Sequence, residues 1–428
     1  MKSKWRISLT AAVVAVGLLA PVTVSAANAA PVEIPLWTHN GGNAAELADV
    51  NLVVKDFNAS QSKYKVTVKA FPQINYNDAI VASAAANRLP CILDTDAPVV
   101  PSWVYAGYLS PLTVDKKITD KLQTSVKGIY DGKLYSAGFY DAAIALLARK
   151  STLAAAGLRT PTIEKPWTLA EFNDALAKAK ATGKYDYAIS LGTGWDGEWY
   201  PYGFSPLLQS FGGDLINRKT NKTAEGVLNG AAAVAWGKWF QNIFAQGLAP
   251  KKETADQRDN GFVTGKIAYQ WNGSWAAATA AEKLGSDFIA LPPPNLGTKA
   301  YIGGGSWQWA VSSTCANKAG ANAWLQFALQ TKYLAKFADD LFNLPITAEA
   351  TKASKTFGPS SKYADFAKFS ATFALIRPAT PAYPVIAKVF ETATKDIING
   401  ADVQKSLDSA VDQINKNLKD NYYYVKKK

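Results

Sequence analysis

The chain has 428 residues, 48% hydrophobic and 19% charged. That excludes a disordered polypeptide and is too long for one ordinary core, so two lobes or domains are expected. Tryptophan is unusually frequent, with 13 copies, and so many rings need a core, an interface or a cleft to house them. The formal charge is +12, but the lysines are dispersed apart from a terminal Lys-Lys-Lys, so a solvated basic surface is expected and no nucleic-acid partner.

At the N-terminus "MKSKWR" places Lys2, Lys4 and Arg6 before the apolar run "ISLTAAVVAVGLLA", and small residues follow with cleavage sites after Ala26 or Ala29. Residues 1–29 read as a secretory signal peptide, too short for a membrane span. Its removal takes the formal charge from +12 to +9, since the first acid is Glu33. No cysteine follows the apolar run, so no lipid anchor is expected, and no later stretch is apolar enough to cross a bilayer. The mature protein is expected to be exported and soluble, in the periplasm of a Gram-negative cell. There Cys91 and Cys315 could form one bridge. Far apart in sequence and in no metal-ligand spacing, they are expected instead as two buried free thiols.

Strands and helices then alternate. "VEIPLWT" (32–38) reads as a strand. Asn43 and Glu46 open a helix with Leu47, Val50, Val54 and Phe57 on one face. "YKVTVKAF" (64–71) is a half-buried strand, 77–89 a helix, "CILDTD" (91–96) a short buried strand, and a helix lies around 103–108. "GKLYSAGFYDAAIALLARK" (132–150) is a long strand-like passage. Thr168 and Glu171 form a capping box, with Phe172 and Leu176 facing inward. "YAISLG" (187–192) is a strand, and 229–247 a helix burying Val234, Phe240, Ile243 and Phe244. Strands are expected over 265–271, 287–294 and 306–313, and the remainder is mostly helical.

This alternation argues for an α/β fold, its parallel sheets flanked by helices and its ligand outside the carboxyl ends of the strands. The residues at those ends are Trp37, Thr38 and His39; Asp94 and Asp96; Asp141; Gly192–Trp195; Trp271–Trp275; and Gly303–Trp309.

Most enzyme chemistries lack their residues. There is one histidine, no His-Glu-x-x-His and no Cys-x-x-Cys. Ile267 follows Gly265-Lys266 where a phosphate loop needs Ser or Thr, and Ser306 has no nucleophile elbow. Ser60-x-x-Lys63 lacks its companion motifs and is read as chance. No cofactor or metal is expected. Asp94, Asp96, Asp141 and Glu198 could serve a glycosidase as acid and base, which is the alternative reading. Carboxylates also accept hydrogen bonds from vicinal sugar hydroxyls, while indole faces stack on the weakly apolar C–H faces of a sugar. The companion aromatics favour binding over catalysis.

Trp275 and Trp307 are chosen as stacking rings; Trp271 suits core or site equally. Ser274 is expected to cap the helix starting near Trp275. The glycine run containing Gly304 permits close backbone approach to a ligand or a bend between lobes. The loop 191–204, with Gly194, Trp195 and Glu198, is expected to close over the ligand, the alternative being a surface loop pinned by its own rings. Arg377, before Pro378, could fork onto sugar oxygens, a carboxylate or a sulfonate, or form a surface salt bridge. His39 and Arg377 together could select an anionic sugar.

Several segments, in order, carry a resemblance: "PLWTHNGG…ELADVNLVVKDFN", "NRLPCILDTDAPVVPSWVYAGYLSPL", "GKLYSAGFYDAAIALLARKSTLAAAGL", "PWTLAEFNDAL", "GFVTGKIAYQWNGSW", "SWQWAVSSTCANKAGANAWLQFAL" and "NGADVQKSLDSAVDQI". The mature chain resembles extracellular solute-binding proteins of bacterial ABC sugar importers, the maltose-binding-like group. The resemblance implies a two-lobed periplasmic binding protein fold, each lobe a mostly parallel sheet flanked by helices, with a cleft that closes on ligand. It implies an N-lobe of 30–139 and 311–374 and a C-lobe of 140–310 and 375–428, a small carbohydrate ligand, membrane permease subunits as partners, and a monomer with no enzymatic activity. By position, Trp37 and His39 look like the family's first sugar-contact loop, Asp94 and Asp96 like the second, Asp141 like the acid at the crossing and Trp275 like the C-lobe stacking aromatic. Cys91 stands where such proteins often carry Asp.

Overall fold

The computed structural model describes residues 30–361 and 363–425. The expected signal peptide and the final three lysines lie outside the described residues. In chain order the strands are β1 (Val32–Thr38), β2 (Tyr64–Ala70), β3 (Ile92–Asp96), β4 (Leu109–Ser110), β5 (Lys127–Tyr130), β6 (Lys133–Gly138) and β7 (Ile144–Arg149). They continue with β8 (Tyr187–Ser190), β9 (Ile267–Gly273), β10 (Phe288–Leu291), β11 (Ile302–Gly304), β12 (Trp307–Ser312) and β13 (Ala374–Ile376).

The first sheet runs β2-β1-β3-β12-β6-β5, with β4 beside β12. Ile34 and Leu36 on β1 are buried against the helix Ala44–Ser60, which presents Val50, Val53, Val54 and Phe57 with Leu47 at the margin. That helix starts where the sequence places it: Asn43 Oδ1 accepts from Glu46 N at 3.2 Å, and Asn43 Nδ2 donates to Glu46 Oε2 at 3.1 Å.

The second sheet runs β10-β7-β9-β8. The helix Leu169–Ala181 opens with the expected Thr168–Glu171 capping box. The helix Ala231–Ala245 buries Trp236, Phe240, Ile243 and Phe244, and leaves Val234 partly buried. Each sheet has its own hydrophobic core, and the segment 351–374, expected with the first lobe, contributes Phe357, Phe366, Phe369 and Phe373 to the second.

The chain crosses between the sheets, and these crossings explain two departures. The passage 132–150 is not one strand: β6 belongs to the first sheet and β7 to the second, and Phe139–Ala143 joins them. Asp141 N and O bond Leu344 O and N there at 2.9 and 2.7 Å. Among the described strands, parallel pairing joins β1 with β2 and β3, β8 with β9, and β11 with β13. The sheets are therefore mixed, because β7 and β12 arrive by crossing from elsewhere instead of over a helix on their own sheet. Gly305 makes the turn into β12 at φ +83°, a conformation that suits glycine.

The cysteines also depart from expectation. Cys91 and Cys315 form a disulfide, with Cα atoms 4.5 Å apart. Antiparallel pairing of β3 with β12 brings the start of one beside the turn after the other, and Ser312 N donates to Cys91 O at 3.0 Å. Among the described residues no helix is long and apolar enough to cross a membrane.

Candidate functional site

The sheets bring their strand ends together as the sequence anticipates. Thr38 ends β1, Asp96 ends β3, and Trp307 begins β12 directly opposite Asp96 in the ladder. His39 stacks on Trp307 with ring centroids 3.5 Å apart and planes 7° apart. Its Nδ1 lies 2.7 Å from Asp94 Oδ2, and its Nε2 lies 3.2 Å from Asn40 Nδ2 and 3.7 Å from Glu46 Oε2. Burial works against charge on His39, but Asp94 and Glu46 outweigh it and raise its pKa. Burial raises Glu46, against the pull of His39 and the hydroxyl of Tyr140, which donates to it at 2.7 Å. Asp94 itself is 0% exposed and also accepts from Thr38 Oγ1 at 2.7 Å.

Arg377 holds the second cluster. Its Nη1 and Nη2 donate to Asp96 at 2.7 and 2.9 Å, and Nη1 also contacts Glu198. Its guanidinium lies over the Tyr202 ring, 4.9 Å from the centroid. Tyr383 donates its hydroxyl to Glu198. Burial opposes the charge on Arg377, but Asp96 and Glu198 hold its pKa well above the ordinary value. Glu198 keeps 31% of its side chain open, yet sits among so much protein that burial pushes its carboxyl up to about 7, against the pull of Arg377. Asp96 is on the first sheet and Glu198 follows β8 of the second, so this one guanidinium joins the two.

Neither donor expected to meet an anionic ligand is left free. His39 and Arg377 are both engaged by the chain's own carboxylates. Asp141 is 0% exposed and accepts from Ser125 Oγ at 2.7 Å and Ala142 N at 2.8 Å. Burial raises its pKa. In this structure Asp94 and Asp141 therefore present no open surface to a hydroxyl, while Asp96 and Glu198 lie at the junction.

The aromatics divide similarly. Trp37, Trp195, Trp275 and Trp307 are half-buried. Trp271 and Trp309 are core, 2% and 1% exposed. Trp275 lies across Gly273, where a Cβ would come within 2.1 Å of the ring, so only glycine fits beneath it. Ser274 does not cap that helix. It is the first residue of Ser274–Leu284, with Gly273 at the cap position, and its hydroxyl is buried without a partner. Its backbone N is instead drawn to Ala143 O at 2.8 Å, which sets the hand-off from strand to helix.

The loop 191–204 is pinned within the second lobe and is not a free lid. Glu253 accepts from Leu191 N and Gly192 N at 2.9 and 3.0 Å, Glu391 accepts from Gly197 N at 2.9 Å, and Trp199 Nε1 donates to Leu191 O at 3.0 Å. Gly194 sits against Glu253, where a Cβ would meet the carbonyl oxygen at 2.5 Å. Gly304 packs in β11 against β13.

Sequence reasoning named none of Arg258, Asp259 and Gln270, and reached Asn272 only as part of the strand-end stretch Trp271–Trp275. With Trp195 and Trp275 they line a pocket of about 170 Å³ in the second lobe. A signal was available for two of them: Gln270 and Asn272 alternate with Trp271 along β9, so once Trp271 is core they point the other way.

Residues 53–368 match the model of a family described as bacterial extracellular solute-binding proteins. The chain belongs to that family. The fold of this solute-binding protein is similar to that of the GacH receptor of Streptomyces glaucescens, solved unliganded and with acarbose, at 21% identity and a TM-score of 0.75 over 91% of this chain and 98% of that one. It is similar to the maltose/maltodextrin-binding domain MalE of Bdellovibrio bacteriovorus bound to maltotriose, at 17% identity and a TM-score of 0.75 over 91% and 100%. It is also similar to the cyclic alpha-maltosyl-1,6-maltose binding protein of Arthrobacter globiformis, at 21% identity and a TM-score of 0.72 over 91% and 100%. The two sheets with their separate cores are the two lobes of this fold. Comparison with curated proteins gives no match.

Proposed function

We propose that this protein is the periplasmic substrate-binding component of an ABC importer. It binds a small, uncharged carbohydrate between its lobes and delivers it to the membrane permease as a monomer, freed of its signal peptide and without a lipid anchor. The observation that carries the reading is that each lobe carries half-buried indoles near a carboxylate: Trp307 opposite Asp96 at the strand ends of the first, and Trp195 and Trp275 around a pocket with Asp259 in the second. Indole faces take the C–H faces of sugar rings, and Asp96 and Glu198 accept from hydroxyls when a ligand enters between them. Asp94, Asp141 and His39 act behind them, fixing the strand ends and the Trp307 ring.

A neutral ligand suits the charges better than an anionic one, because each cation at the junction already serves more than one carboxylate. The paired-carboxylate hydrolase draws no support from the comparisons, whose family and structural neighbours are binding proteins. Ligand shifts the lobes only by its greater affinity for the closed form.

A thermal-shift screen of the mature protein against neutral and acidic mono-, di- and trisaccharides tests the reading. A ligand bound only by the folded state adds about 2.7 kcal/mol at a hundredfold excess over its dissociation constant. A neutral sugar should raise the midpoint. No shift across the whole panel would remove carbohydrate as the ligand.

A further inference from the structure

We infer that the turn Tyr422–Val425, with the lysines around it, is a docking surface for an anionic phospholipid membrane, which holds the protein reversibly on a bilayer face. This hold does not depend on which ligand the lobes bind. The helix Val403–Asp420 buries Leu407, Val411, Ile414 and Leu418 in the second lobe. Beyond it the apolar residues turn outward: Tyr422, Tyr423 and Val425 are 69%, 43% and 61% exposed. Tyr105, 39% exposed, adds a ring from the first lobe, its centroid 5.1 Å from that of Tyr424. Single apolar side chains in water need no explanation, but a group of them marks a contact surface.

The backbone holds this group in place. Tyr422, Tyr423 and Tyr424 have φ of +50°, +55° and +55°. Bulky residues rarely take the left-handed region, and a run of three persists only where its surroundings fix it. Tyr424 supplies the fixing. Its N donates to Asn421 O and its hydroxyl to Asn417 Oδ1, both at 2.8 Å, and its ring meets Tyr105 edge to face. Folding gains little from a turn that leaves Tyr422 and Tyr423 in water, whereas a partner surface buries them.

Charge selects the occupant. Lys222 Nζ lies 5.9 Å from the Tyr423 ring centroid. Lys416 and Lys419 stand near the end of the helix, and Lys426, Lys427 and Lys428 follow the turn in the sequence. The acid among them, Asp420, is paired with Lys416. Tyrosine has an apolar body and a polar tip, which suits the headgroup level of a bilayer. Each lysine near an anionic membrane surface strengthens binding about fivefold. An acidic protein surface would call on the lysines and leave the rings in water; a neutral bilayer would call on the rings and leave the lysines unused. Phosphate groups above acyl chains use both, and a short apolar turn beside a basic run gives reversible attachment.

Co-sedimentation of the full mature chain with vesicles tests this, at low and high salt. One set is phosphatidylcholine alone, the other phosphatidylcholine mixed equally with phosphatidylglycerol. Wild type is compared with Tyr422→Ser/Tyr423→Ser and with Lys426→Gln/Lys427→Gln/Lys428→Gln. The control is Lys251→Gln/Lys252→Gln, at exposed lysines elsewhere on the chain. Unfolding midpoints verify that each variant is folded, and the folded one of the tyrosine and lysine variants suffices. The expected result is enrichment on the anionic vesicles over the neutral ones, weakened by salt. The lysine variant should lose about tenfold or more, the tyrosine variant should lose several-fold, and the control should bind as wild type does. Equal sedimentation with both vesicle types, or with neither, overturns the membrane surface. Equal loss in the control makes the attraction a property of the whole basic surface and overturns it too. Undiminished binding by the folded tyrosine variant overturns the lipid assignment in favour of a general polyanion.

Discussion

Arg377 grips Asp96 with both terminal nitrogens, at 2.7 and 2.9 Å, in a pair whose side chains are 3% and 9% exposed. The same guanidinium reaches Glu198, so a residue just after β13 ties the end of β3 in the first lobe to the loop after β8 in the second. The strand-end geometry of both lobes depends on that one planar cation.

Replacing Arg377 should therefore be costly. Arg377→Ala leaves Asp96 and Glu198 close together without their cation, and breaking a buried pair in this way costs about 3–5 kcal/mol. Arg377→Lys keeps the charge but not the fork, and should fall between. Urea unfolding measures both, and an alanine variant within about 0.5 kcal/mol of wild type would contradict the assignment.

Stability should fall as pH rises toward neutrality. Glu198 titrates at about 7 in the fold against an ordinary 4.5, so the folded state holds the proton more tightly than the unfolded chain. Its contribution is complete below about pH 4.5 and is lost as pH rises through about 7. Burial raises Asp141, Glu46 and Glu253, which act with the same sign, and the raised His39 also loses its contribution as pH rises. Glu171, held at about 2 by Arg159, acts only at lower pH. Melting midpoints from about pH 5 to 8 should decline in wild type and decline less in Glu198→Gln. A midpoint that climbs across this window would exclude the assignment.

The disulfide closes a loop spanning 224 positions. Reduction, or Cys91→Ser with Cys315→Ser, should cost about 2–4 kcal/mol. Peptide mapping without reductant should recover the two cysteines linked; two alkylatable thiols in the exported protein would contradict the bridge.

Local features were legible in the sequence and distant ones were not. The Asn43–Glu46 and Thr168–Glu171 helix starts depend on residues three apart, and the structure reproduces both. The strand-end rule gathered His39, Asp96, Trp307 and Trp275 without any knowledge of the lobes. What it could not supply was pairing. Cys91 meets Cys315 only because β3 and β12 pair antiparallel, and no local pattern encodes that neighbour. The break between β6 and β7 falls at Gly138–Asp141, where the resemblance places a crossing at Asp141, but the strand pattern of the flanking residues alone runs on through it. Arg377 was foreseen as a fork, but a carboxylate of its own chain satisfies it. Arg258 belongs to no sequence motif, and the fold alone sets it over Trp195.

The central claim is that one sugar touches both lobes, and it is tested most directly by titrating a bound panel sugar calorimetrically into wild type, Trp307→Ala and Trp275→Ala. Trp307 stands on the first lobe and Trp275 on the second. The account predicts that each substitution alone weakens binding about tenfold or more, about 1.4 kcal/mol, with the fold intact. Loss in only one of the two folded variants, or in neither, would contradict a ligand held between the lobes.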